Sequence, residues 1–102
     1  MTPNVAKCLL VSKVLVADGM MADSEHDFLD ALMTKLGLSP DERRSVIELE
    51  NWDEAEPIVN AMSLDDRLAI VELMVDAAGA DGHLSPTELA TIKRVEQALG
   101  VK

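Results

Sequence analysis

The residues best suited to chemistry in this chain are two aspartate-glycine pairs, each followed after a fixed gap by a glutamate: Asp18-Gly19 with Glu25, and Asp81-Gly82 with Glu88. Both copies read Asp-Gly-x-apolar-x-x-x-Glu, with Met21 and Leu84 at the apolar position. Each residue has an ordinary folding role. The glycine allows a positive φ where the chain reverses, the aspartate can bond the backbone two residues on, and the glutamate favours the positive end of the next helix. The same residues also supply carboxylate oxygens, the ligands of hard cations. The glycine-to-glutamate spacing equals the second half of an EF-hand calcium loop. The first half is missing: Val14 and Val16 in one copy, Ala77 and Gly79 in the other, stand where its first carboxylates belong. A complete EF-hand is therefore excluded, since calcium takes roughly six to eight oxygens.

Other chemistries find less material. There is no glycine-rich phosphate loop, no nucleophile elbow and no His-carboxylate-nucleophile set, so the chain reads as non-enzymatic. His26 and His83 do not occupy equivalent places in the two copies, which leaves a symmetric zinc site unsupported. Cys8, the lone cysteine, lies in an apolar stretch and reads as a buried structural thiol in a reducing cytoplasm. Asp23-Ser24 has the look of a carrier-protein attachment dipeptide, but Glu25 follows where an apolar residue belongs.

The elements that hold the two motifs must be helices, because apolar residues recur at spacings of three and four and no run alternates. Thr2-Pro3 opens a first helix to about Ala17, apolar on most faces as a surrounded helix would be. A second runs from about Asp23 to a glycine stop at Gly37, burying Phe28, Leu29, Leu32, Met33 and Leu36. Ser39-Pro40-Asp41-Glu42 is a capping box for a third, to about Glu50, with Arg43 and Arg44 solvated. A short fourth spans about Glu54 to Ala61. Ser63 caps a fifth, expected to bury Leu64, Leu68, Ile70, Val71, Leu73, Met74 and Val75. Ser85-Pro86-Thr87-Glu88 repeats the capping box and opens a sixth, burying Leu89, Ile92, Val95 and Leu99 up to Gly100.

The 102 residues suffice for one domain, 1–102, and 48% hydrophobic content allows it a core. A net charge of -10 repels phosphate backbones and anionic lipid, so nucleic acid and membrane surfaces are poor partners. Lys7 and Lys13 interrupt the apolar stretch from Val5 to Ala17, which is shorter than a membrane helix needs. The acidic segment from Glu48 to Asp66 can face solvent or a basic partner. Trp52 within it can plug the core or anchor an interface.

An internal repeat organises these pieces. At an offset of 63 residues, Ala17-Asp18-Gly19 falls on Ala80-Asp81-Gly82, Glu25 on Glu88, and Leu36-Gly37 on Leu99-Gly100. Leu29 and Leu32 fall on Ile92 and Val95, so the apolar face is repeated too. The expected architecture is an all-α bundle of about six helices, built from two helix–Asp-Gly–helix hairpins about a pseudo-twofold axis.

The paired motifs, with apolar helices before them and a Leu-Gly stop after each, resemble the TerB-like family of small helical domains. These are associated with tellurite resistance and are similar to modules in some membrane-anchored co-chaperones. The resemblance covers roughly Val5 to Val101. It implies a helical module from a bacterial stress system, with Asp18, Glu25, Asp81 and Glu88 as a metal-binding cluster. If the two loops share one end of the bundle, these acids, with Asp23 and Asp76 nearby, repel one another unless a cation or raised pKa values relieve them. An all-oxygen set favours calcium or magnesium over zinc. The partner is expected to be a protein, a membrane-associated stress complex or a second copy. The competing reading is a metal-independent acidic adapter in which the repeat is only architecture.

Overall fold

Side-chain caps decide where most of the helices begin. In the computed structural model, which describes residues 1–17, 21–79 and 85–101, six α-helices follow one another. They are α1 (Pro3–Leu15), α2 (Asp23–Lys35), α3 (Pro40–Ile47), α4 (Ala55–Asn60), α5 (Leu64–Ala78) and α6 (Pro86–Ala98), with a 3-10 turn (Trp52–Glu54) before α4. The hydroxyls of Thr2, Ser39, Ser63 and Ser85 accept from the amides of Val5, Glu42, Asp66 and Glu88, at 3.2, 3.2, 3.2 and 3.0 Å. Each satisfies an amide that the helix itself leaves orphaned. No strand occurs among the described residues.

The stops of α2 and α6 are equally local. Gly37 (φ 72°) and Gly100 (φ 69°) take the left-handed conformation, and the amides of Leu38 and Val101 reach back to Met33 O and Glu96 O at 3.1 and 2.9 Å. This is the Schellman closure, which buries Leu38 and Val101 against the core. Leu49 (φ 54°) plays the glycine's part after α3, where the amide of Glu50 bonds Ser45 O at 2.9 Å. A leucine there costs roughly 1 kcal/mol more than glycine would.

The repeat survives into three dimensions at the level of helix bounds: α2 and α6 begin and end at positions 63 residues apart, and so do the last residues of α1 and α5. What positions everything is α1. Val5, Ala6, Cys8, Leu9, Leu10, Val11, Ser12, Val14 and Leu15 are all buried, and α1 packs against each of the other five helices. Burial pushes the Cys8 thiol up to about 11, against a smaller opposing pull from Lys7, so the structural-thiol reading fits. No helix among the described residues is long and apolar enough to cross a membrane.

Several sequence expectations need correction. The first and third helices stop early, at Leu15 and Ile47. Leu64, Leu68, Val75 and Leu89, expected in the core, are 51%, 37%, 42% and 39% exposed. Periodicity marks α5 as apolar on two sides, but the side carrying Ile70, Met74 and Ala77 is the one fully buried, with Val71 and Leu73 half-buried against the core. Arg43 is not simply solvated: it donates to Asp30 Oδ1 at 2.9 Å and to Thr34 Oγ1 at 2.6 Å, tying α3 to α2.

A Cβ placed on Gly37 would meet nothing within 4 Å, so Gly37→Ala isolates the cost of the positive φ. The expected loss is about 1 kcal/mol, read as a drop of several degrees in the thermal midpoint.

Candidate functional site

Glu25 and Glu88 occupy the same place in the two repeated helices, the third residue of α2 and of α6. The helix start puts them there. A glutamate at this position can fold back on the amide just before the helix, and both do so. Glu25 Oε1 accepts from the Ala22 amide at 2.9 Å, and Glu88 Oε1 accepts from the Ser85 amide at 3.2 Å. Only the second copy completes the reciprocal box, because Ser85 Oγ also accepts from the Glu88 amide while Ala22 has no acceptor.

Both glutamates are buried, at 4% and 3% exposure, which sequence did not foretell for acids at a helix start. Among the described residues, Oε2 of Glu88 is buried with no hydrogen-bond partner. A carboxylate oxygen in that position loses its water without gaining a donor, at a cost of about 1–3 kcal/mol unless something else meets it.

Asp18 and Asp81, the other two acids assigned to the cluster, lie outside the described residues, as do Leu84 and His83. Among the described residues no three His, Cys, Asp or Glu side chains gather as a metal would need. Asp23 and Asp76 are exposed, His26 is an exposed residue of α2, and Cys8 is sealed in α1.

Trp52 does not plug the core. It is 39% exposed, and the Lys13 ammonium sits 3.6 Å from its ring centroid. Lys13 also meets Glu56 at 3.9 Å, so this cation joins α1 to the 3-10 turn and α4. Sequence reasoning missed the arrangement because Lys13 and Trp52 lie far apart in the chain and no local pattern links them.

The model for the family described as tellurite resistance protein TerB matches residues 4–102. No curated protein and no solved structure matches the chain.

The difference between the two caps is directly testable. Ser85→Ala should cost about 1 kcal/mol of unfolding free energy, while Ala22→Ser, which restores the missing acceptor, should stabilise by a comparable or smaller amount. Denaturant unfolding of both variants reads the opposite signs.

Proposed function

The chain belongs to the tellurite resistance protein TerB family, and from that membership we propose a non-enzymatic helical module that holds one hard divalent cation and docks on a partner protein. The ligands in this reading are Asp18, Glu25, Asp81 and Glu88, with calcium or magnesium favoured over zinc by the all-oxygen set. The setting is a bacterial stress response in the cytoplasm. The observation that carries the metal reading is the buried, unpartnered Oε2 of Glu88. Its sister oxygen is committed to the cap, so the carboxylate is fixed in orientation while one oxygen stays available to a cation. When bound, a cation supplies positive charge at the starts of the two repeated helices; Glu25 and Glu88, fixed by their caps, set where that charge sits.

Thermal unfolding of chelator-treated protein with calcium, magnesium or zinc tests this. An ion at 100 times its Kd should add about 2.7 kcal/mol and raise the midpoint by several degrees. Glu88→Gln should abolish that response. A midpoint indifferent to every ion, in wild type and variant alike, overturns the metal reading.

One observation favours the adapter as a second reading. Leu64, Leu68 and Val75, all exposed, follow the spacing of a single stripe about 16 Å long on α5, with Val71 between them half-buried against the core, beside Asp65, Glu72 and Asp76. At the 63-residue offset, Leu68 and Val75 fall on Val5 and Ser12, both buried in α1. Helix α1 packs on α3 and α4 in addition to α2, α5 and α6, whereas the main packing of α5 is on α1, α2 and α6. The stripe is therefore an apolar face covered in one half and open in the other. Its acidic border and the -10 chain disfavour a second copy and favour a basic amphipathic helix. A labelled Leu/Lys amphipathic peptide should bind by fluorescence anisotropy, and Leu64→Ser/Leu68→Ser should weaken it at least tenfold. Equal binding of the double variant, or of a scrambled peptide of the same composition, removes the α5 stripe from the reading.

A further inference from the structure

The end of α1, the Trp52 turn and α6 surround an open cavity of about 360 Å³ lined chiefly by Lys13, Arg94, Thr87, Thr91 and Trp52. The chain has 19 acids and 9 bases, yet no acid among the described residues lines this cavity. Two like charges are brought together instead. Arg94 pairs with no carboxylate among the described residues. Lys13 has only Glu56, at 3.9 Å, and the face of Trp52.

The Lys13 ammonium is held below the usual lysine range, first by burial and then by Arg94, with Glu56 pulling the other way. Folding alone gives no reason to place a second cation beside a lysine that is already short of water. Two neighbouring cations repel unless an anion lies between them, and remote acids are screened beyond about 8 Å in physiological salt.

The cavity also provides what an anion needs besides charge. Arg94 offers a planar fork matched to paired oxygens, and the exposed Thr87 brings a hydroxyl that can donate. The Thr91 hydroxyl is spoken for, since it donates to Thr87 O at 2.9 Å. The volume exceeds that of a bare ion, a single water occupying about 30 Å³ of liquid, and Val16, Ala17 and Trp52 give it an apolar side. Two cations match a group of charge about -1.5 to -2.

We propose that this cavity binds a small phosphomonoester, its phosphate held between Lys13 and Arg94 and its body against the Trp52 side. The proposal uses side chains other than the four acids of the cation reading, so it does not depend on a bound metal.

Trp52 is the only tryptophan, so its fluorescence reports the cavity directly. Phenyl phosphate should give a saturable change in Trp52 emission, with matching heat in calorimetry, in chelator-treated protein at constant ionic strength. Inorganic phosphate should bind more weakly, and benzoate, with one charge, at least tenfold more weakly. Arg94 is exposed on α6, so Arg94→Ala should keep the wild-type melting curve while weakening phenyl phosphate at least tenfold. Lys13→Met, which keeps the stem over the ring, should do likewise. The proposal fails if phenyl phosphate gives no saturable signal up to about 10 mM, if Arg94→Ala binds as wild type, or if benzoate binds as tightly. The chelator keeps these outcomes independent of any cation site.

Discussion

Everything in this fold depends on surrounding α1. A helix apolar on nearly every side cannot lie at a surface, and thirteen residues are too few to hold a helix alone in water. Its stability must come from neighbours, and no single neighbour is wide enough to cover it. Five other helices pack against it, so burial of Leu9, Leu10, Val14 and Leu15 is shared among elements scattered along the sequence. Removing any one would reopen a side of α1. The same constraint explains why Cys8 and Ser12 are sealed: α1 has hardly any outside on which to place a polar atom. Ser12 Oγ is left without a partner among the described residues, a small cost of fitting a serine into such a helix.

The repeat shows how local and global determinants part company. Helix starts and stops reproduce at the 63-residue offset because caps need only nearby residues: a hydroxyl or glutamate at the start, a glycine at the stop. Burial does not reproduce. Helix α1 is enclosed, while its counterpart α5 keeps Leu68 and Val75 open to water, because α3 and α4 pack on α1. Two helices whose last residues correspond at that offset thus end up one enclosed and one partly open.

That distinction measures what was legible beforehand. The all-α class, the order of helices, the capping by Ser39, Ser63 and Ser85 and the stops at Gly37 and Gly100 were all readable, since each rests on residues a few positions apart. The exposure of Leu64 and Leu89 was not, because an apolar residue on a helix carries no mark of which neighbour reaches it. Nor was the Arg43 bond to Asp30, which spans two helices, or the seat of Lys13 on Trp52, which joins α1 to a turn at mid-chain. Of the four acids assigned to the site, the helix positions of Glu25 and Glu88 were legible from the capping pattern, but their burial was not.

The burial of Glu88 carries a cost that its cap alone does not offset. Glu42 supplies an internal comparison: it stands at the third position of α3, accepts from the Ser39 amide at 2.8 Å, and completes a capping box from a site only half withdrawn from water. Capping therefore does not require an enclosed carboxylate. At Glu88 the same cap is made by an acid almost wholly enclosed, where losing hydration is costly and the cap bond satisfies only one oxygen. Selection for helix initiation alone would be met by the Glu42 arrangement without that penalty. A bound cation would offset it at Glu88, whose Oε2 has no other partner among the described residues.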